Sequence, residues 1–303
     1  MRSKVFAGFD LGGTNLKYGL VTEAGSVLEK HIVATPDTFA GVLDLIASAW
    51  KDFRRSAKNK PAGAGFGFPG IYSLRDRRIL QSPNYPGLDN AELMPALAKI
   101  LRAPFRVDND ANLAAYGEWR CGAGRGVSSM VHLTIGTGIG SGIILNGSLW
   151  HGRCGFAGEL GHITVNPDGD KCNCGGQGCL ETEAAAPKIV RNYKDLSKTR
   201  REVKAEEVFD RAAKGEVAAV KAFGIAGTYL GIALGIVINM LNPEKIVLGG
   251  GVMTTGDFLL SAAVEEAARR SYKASFACCS IEKALLGNEA GLIGAALWVG
   301  AKF

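Results

Sequence analysis

Charge is scarce in this chain. Charged residues make up 21% of its 303 positions, the net balance is only +6, and no basic run exceeds three residues. Arg75, Arg77 and Arg78 flank Asp76 on an expected hairpin tip and read as solvated surface, so no nucleic-acid partner is expected. The first apolar run begins at Lys4, which leaves no room for a secretory leader and predicts a cytoplasmic protein. Cysteine numbers seven, an odd count without an export signal, which argues against a disulfide framework. No glycine-rich loop ends in Gly-Lys-Ser or Gly-Lys-Thr, so a P-loop is excluded. Residues 65–70, Gly-Phe-Gly-Phe-Pro-Gly, match the dinucleotide fingerprint literally, with Asp89 about twenty residues on. Pro69 and a following hairpin stand where that fingerprint must open a helix, so the match is accidental.

One absence points the other way. From Ala222 to Pro243 there is no charged residue, a stretch long enough for a membrane span. Thr228, Tyr229 and Asn239 interrupt it, and no aromatic belt or basic collar flanks it. Glycines at 224, 227, 231 and 235 recur three or four apart, giving one helix face on which another backbone can lie close. A buried helix in a large domain is expected, with no membrane partner.

What the chain does have is apolar content, 47%, and 41 glycines, many clustered at the ends of apolar runs. That length and composition suit a globular protein of two domains. We expect a small α/β domain over 1–112, completed by 288–303, and a larger one over 113–287. Strands are expected at Lys4–Asp10, Asn15–Val21, Ser26–Val33, Ala62–Phe68 and Phe105–Asp108. Phe39, Val42, Leu43, Ile46, Trp50 and Phe53 recur at helical spacing after a cap at Asp37 or Thr38. Asp89 is expected to cap a second helix reaching Leu101, and Gly287–Val299 to form a helix packed back on the first domain.

The opening motif then returns. Phe9-Asp10-Leu11-Gly12-Gly13-Thr14 and Thr134-Ile135-Gly136-Thr137-Gly138 each read as strand, glycine turn with threonine, strand. Consecutive backbone N–H groups in such a turn make a concave anion site, and Thr14 and Thr137 add hydroxyl donors. Two such hairpins facing each other would hold one nucleotide between two domains. Asp10 is placed to hold the water shell of Mg2+. Gly249 and Gly250, in the triple glycine between a strand and a helix, suit either approach of an adenosine or tight packing. His162, Cys172, Cys174 and Cys179 form His-x9-Cys-x-Cys-x4-Cys, a closed tetrahedral shell for structural Zn2+. His31, His132 and His151 carry no comparable signal and read as structural. Asp110, at a strand-to-helix junction, is the best candidate for a base toward a phosphate-accepting hydroxyl, with helix capping as its alternative role.

Together Asp10–Thr14, Asn109-Asp110-Ala111-Asn112, Gly136-Thr137-Gly138, Glu159-Leu160-Gly161-His162 and the Cys172–Glu181 segment resemble the ROK family of sugar kinases and sugar-responsive repressors, from residue 5 to about 298. The resemblance implies a ribonuclease H-like fold of the actin and hexokinase type, with duplicated domains, an interdomain cleft and a zinc knuckle. It implies ATP with Mg2+ as phosphoryl donor and a hexose, glucose first, phosphorylated at its 6-hydroxyl. N-acetylglucosamine, N-acetylmannosamine and fructose are the alternative acceptors. Asp110 then matches the base, and Asn84, Asn109, Glu159, His162 and Glu181 match sugar ligands, so that His162 serves both metal and sugar. A homodimer or homotetramer is implied. A sugar-sensing regulator is the reading from another class, but only nine residues precede Asp10, too few for the DNA-binding module such regulators carry. Relatives often place Leu at Tyr85 and Trp at Leu88. The bulkier Tyr85, if turned inward, would crowd a 2-acetamido group.

Overall fold

The computed structural model describes residues 3–55, 59–82 and 85–301. The chain opens on an antiparallel meander, β1 (Val5–Leu11), β2 (Asn15–Thr22) and β3 (Val27–Ala34). Helix α1 (Phe39–Arg55) starts where the Thr38 hydroxyl accepts the Gly41 N–H at 3.1 Å, which settles the cap on Thr38. Its apolar residues fall on one face, so Val42, Ile46, Ala49, Trp50 and Phe53 are all buried. Then come β4 (Ala64–Phe68), the hairpin β5 (Ile71–Ser73) and β6 (Arg78–Gln81), α2 (Leu93–Leu101) and β7 (Phe105–Asn109). The first sheet has the order β3-β2-β1-β4-β7, with β1, β4 and β7 parallel. Asp89 does not cap α2. Its Oδ1 accepts the Ser82 N–H at 2.6 Å, and the N-cap position of α2 is Glu92, whose side chain makes no capping bond.

Helix α3 (Asp110–Cys121) leads into β8 (Met130–Ile135), β9 (Ile139–Leu145) and β10 (Ser148–Leu149). Asn146 and Gly147 both take positive φ, 51° and 69°, as a two-residue hairpin turn of this hand requires. Helices α4 (Leu180–Ala184), α5 (Ala186–Ser197), α6 (Ala205–Ala213) and α7 (Val217–Leu241) follow, then β11 (Lys245–Gly249), α8 (Phe258–Arg270), α9 (Lys273–Ala277), β12 (Ser280–Lys283) and α10 (Ala290–Trp298). The second sheet has the order β10-β9-β8-β11-β12. Both sheets thus run through the same succession, two antiparallel pairings and then two parallel ones. The two glycine turns occupy the same connection, β1 to β2 and β8 to β9.

Helix α7 has the length and apolarity to cross a membrane. Its glycine face is taken by α8: a methyl at Gly231 would lie 2.5 Å from the Glu266 Cβ, and one at Gly227 at 2.5 Å from the Ala262 Cβ. Gly224 has no such neighbour, so three of the four expected glycines serve the contact. Helix α10 returns to the first sheet as expected; a Cβ at Gly8 or Gly65 would collide with the carbonyls of Leu292 and Ala295. It packs equally on α3, while α3 also lies on β9, where a methyl at Gly142 would come within 2.6 Å of the Ala115 Cβ. The expected boundary after residue 112 therefore falls inside a helix that touches both sheets. The buried Phe6, Val21, Leu113, Tyr116, Met130, Ile144, Val247 and Trp298 form the core between them.

Candidate active site

The first glycine turn is closed by the Gly12 N–H on the Asn15 carbonyl at 2.9 Å. It is braced from the end of β3, where the Thr35 hydroxyl donates to the Gly12 carbonyl at 2.7 Å and the Thr35 N–H to the Thr14 carbonyl at 2.9 Å. Asp10 sits beneath it, with the Lys17 Nζ 3.6 Å away. Burial pushes the Asp10 carboxyl above its ordinary range and Lys17 opposes the shift. In the second turn the Gly136 N–H donates to the Gly138 carbonyl at 2.9 Å, and the Gly136 carbonyl accepts the Ala186 N–H at 2.9 Å.

Neither turn owes its glycines to backbone conformation alone, because Gly12, Gly136 and Gly138 are not among the residues at positive φ. A methyl at Gly136 would meet nothing within 4 Å. That open side borders a cavity of about 210 Å³ lined by Gly136, Thr137, Ile189, Glu206, Phe223 and Gly251, among others. Its apolar walls and single carboxylate suit the flat base and ribose of a nucleotide. Of the triple glycine, Gly249 and Gly250 are filled by protein: their Cβ positions face His132 and Ala284, and the backbone of Ile135. Gly251 is the one that faces the cavity. Residues such as Ile189, Glu206 and Phe223 carried no motif; only the packing of α5, α6 and α7 brings them together.

The cysteine segment folds as a knuckle. The Cys172 N–H donates to the Gly176 carbonyl and the Gly175 N–H to the Cys172 carbonyl, at 2.9 and 3.0 Å. Gly175 lies at φ +93°, a conformation that favours glycine. One ligand atom each from His162, Cys172, Cys174 and Cys179 falls within 4.8 Å of the others. The Cys172 Sγ is 3.6 Å from the His162 Nδ1, and the Cys174 and Cys179 Sγ atoms are 3.6 Å apart. Zinc bonds of about 2.3 Å to sulfur and about 2.0–2.1 Å to nitrogen give tetrahedral edges of roughly 3.5–3.8 Å, so the donor set fits that ion. Burial pushes the Cys179 thiol up to about 12, whereas the Gly176 N–H and neighbouring thiols lower that of Cys174. With Nδ1 facing the sulfurs, the His162 Nε2 is turned to Glu159, 4.0 Å from its Oε2. Glu181 lies in the first turn of α4, two residues after Cys179, and accepts the Ile139 N–H at 2.9 Å, tying the knuckle to the second glycine turn.

Asp110 opens α3, but it does not cap it. Asn109 is the N-cap: its Oδ1 accepts the Asn112 N–H at 3.0 Å, and its Nδ2 donates to the Gly70 carbonyl at 2.9 Å. Asp110 takes the adjacent Ala111 N–H, at 2.9 Å. The end of β4 passes between the two aspartates, since a methyl at Gly67 would lie 3.3 Å from the Asp110 Cα and 3.7 Å from the Asp10 Oδ1. Burial first, and then the Asp10 carboxylate, raises Asp110 to about 7, with a further push from Glu159 and opposition from the Ala111 N–H. Glu159 is itself raised, by burial and by Glu181, with His162 opposing. Four groups expected at the site, Asp110, Glu159, His162 and Glu181, thus share one electrostatic neighbourhood. Asn84 lies outside the described residues. Tyr85 is turned away: its ring is buried in the core packed on the first sheet and its hydroxyl donates to the Pro36 carbonyl. Held there, it does not crowd a sugar substituent as an inward-turned Tyr85 would.

Two sheets of like topology, each presenting a glycine turn, and a carboxylate cluster set beside those turns define an α/β protein of the actin and hexokinase type. The ROK family model matches residues 6–302, and the chain belongs to the ROK family. It is 37% identical over 313 aligned residues to a glucokinase of Halalkalibacterium halodurans, covering 97% of this chain and 94% of that one. A crystal structure of a ROK family glucokinase from Streptomyces griseus in complex with glucose and AMPPNP has a TM-score of 0.84, 31% identity and coverage of 97% and 98%. A xylose repressor of Bacillus spizizenii is 28% identical over 95% of this chain and 76% of its own length.

Proposed function

We propose that the protein phosphorylates a hexose at its 6-hydroxyl with ATP, and that glucose is the preferred acceptor. The observation that carries this reading is Asp110: a carboxyl raised to about 7, relieved of the capping duty by Asn109 and standing between Asp10 and Glu159. A group poised near neutrality can both accept a proton and orient the hydroxyl that gives it up. In the proposed step the Asp110 carboxylate takes the proton of the 6-hydroxyl. The hydroxyl oxygen bonds to the γ-phosphorus, and the bond from that phosphorus to the bridging oxygen breaks, leaving its electron pair on ADP.

The two glycine turns would hold the phosphates between them, with Thr14 and Thr137 as hydroxyl donors and the base in the cavity beside Gly136 and Gly251. Mg2+ bound with the nucleotide supplies charge neutralisation, and Asp10 is the residue that would hold its water shell. Glu159, Glu181, the His162 Nε2 and the second amide hydrogen of Asn109 offer the acceptors and donors that sugar hydroxyls need. Zn2+ in the His162, Cys172, Cys174 and Cys179 shell would hold His162 in one tautomer and orientation. The like order of the two sheets supports an internal duplication, with the cleft between the halves.

The choice of glucose rests on the likeness to named glucokinases, since Tyr85 offers no steric reason. Coupled measurement of ADP release across glucose, N-acetylglucosamine, N-acetylmannosamine and fructose tests it. ATP-dependent turnover with the highest kcat/KM on glucose is expected. Equal or better kcat/KM on N-acetylglucosamine would reverse the sugar assignment. Sugar binding without turnover on any of the four would favour a regulator instead.

A further inference from the structure

One buried histidine–aspartate hydrogen bond joins the two halves of the molecule beside the site. The His151 Nε2 lies 2.7 Å from the Asp108 Oδ2, and the Asp108 side chain is only 2% exposed. Asp108 stands two residues before Asp110, at the end of β7. Its other oxygen, Oδ1, accepts the Asn109 N–H at 2.8 Å and the Asn112 Nδ2 at 3.0 Å, so one carboxylate gathers the strand end and the first turn of α3. His151 comes from the other half, just past β10, with its ring 5.8 Å from that of Trp298 on α10.

His151 also opens the strap that carries Glu159. The Trp150 N–H donates to the Ile143 carbonyl at 2.8 Å, fixing the strap's start to β9. Its middle reaches the first half, where the Leu74 N–H donates to the Cys154 carbonyl at 3.3 Å. Gly155, at φ +99°, approaches so closely that a Cβ would lie 2.8 Å from the Tyr72 carbonyl. The strap then returns to the second sheet, where the Ser141 hydroxyl donates to the Gly158 carbonyl and accepts the Leu160 N–H. Glu159 lies between those two anchors.

We propose that His151 is a positioning residue: through Asp108 it sets the placement of Asp110 on one half against the Glu159 strap on the other. This rests on the reading of Asp110 as base and Glu159 as sugar ligand. The arrangement does what a phosphoryl-transfer site needs, because an error of about 1 Å between base and bound hydroxyl can cost on the order of 10²-fold in rate. A carboxylate this buried also needs a strong donor on every side, and His151 is the donor that comes from across the cleft.

The test compares His151→Ala, His151→Gln and Asp110→Asn, singly and combined, in kcat, sugar KM, ATP KM and melting temperature. His151→Ala should lower kcat by roughly 10- to 100-fold and raise the sugar KM several-fold, with ATP KM changed less than about two-fold. His151→Gln, whose amide can still donate to Asp108, should recover most of the loss. Adding His151→Ala to Asp110→Asn should cost little more than Asp110→Asn alone, because the histidine acts through the aspartate. A folded His151→Ala protein with kcat and sugar KM near the parent's, even with a lowered melting temperature, would overturn the proposal, as would a glutamine variant no better than the alanine. If Asp110→Asn alone is silent, it is the base assignment that fails; full additivity in the combined variant contradicts the positioning role.

Discussion

Asp110 and Asn109 stand side by side at the start of α3, and the structure divides between them two tasks that sequence could only superimpose. Asparagine and aspartate cap helices about equally well, and it is the Asn109 Oδ1 accepting the Asn112 N–H that assigns the cap to Asn109. With the cap assigned, the raised carboxyl of Asp110 is a measurable property. As the proposed base Asp110 must be ionised in the free protein, so kcat/KM on the sugar should rise with pH through an apparent pKa near 7 and level off above. Stability runs the other way. The ordinary value of 3.8 describes the unfolded chain and about 7 the folded one, so the folded state holds this proton more tightly. The stabilising contribution is complete below about pH 4 and is lost as pH rises through 7. Without magnesium or ligands, Asp110→Asn should therefore gain melting temperature relative to the parent at pH 8 and not at pH 4. A flat pH profile for kcat/KM between 5.5 and 8.5 would contradict the shift. Other residue-scale features lay beyond sequence for a similar reason. Tyr85 and His151 each take a partner from a distant segment and Asp89 reaches back seven residues, and nothing in local spacing announces Pro36, Asp108 or Ser82 as the partner.

At the scale of elements the reading from sequence went further, because periodicity and turn chemistry are local. The meander β1–β3, the face of α1 and the return of α10 all follow from patterns a few residues long. The knuckle was legible too, since ligand spacing and glycine placement are written in consecutive residues. Its consequence for the site needed the fold: Glu181 reaches the second glycine turn, and the His162 Nε2 is turned to Glu159. Protein prepared without chelator should contain one zinc per chain by metal analysis. Cys174→Ser should lose it and, because Glu181 lies two residues past the last knuckle cysteine, raise the sugar KM. Structural zinc in small peptides contributes about 10–16 kcal/mol at neutral pH, so loosening of residues 159–181 should be visible as faster amide exchange. Absence of zinc from such a preparation would remove the proposed ion. The cavity beside Gly136 was not legible at this scale, since α5, α6 and α7 each contribute residues that carry no pattern of their own.

Across the whole molecule, two sheets of the same order are separated by the helical layer of α3 and α10, and the candidate site lies where α3 begins. That placement gives the half-to-half contacts their importance. Asp110 belongs to the end of one sheet, Glu159 and His162 to a strap and turn on the other, and a reaction would require them at one fixed separation. The most direct test of the account is the kcat of Asp110→Asn, measured with ATP and glucose on protein shown to be folded and nucleotide-binding. Asparagine preserves size and the contact with Ala111 while removing the proton acceptor. The account predicts a fall in kcat of at least the ~10²–10⁴-fold typical of losing a general base, with ATP affinity kept. A folded Asp110→Asn protein whose kcat stays within a few-fold of the parent's would contradict it.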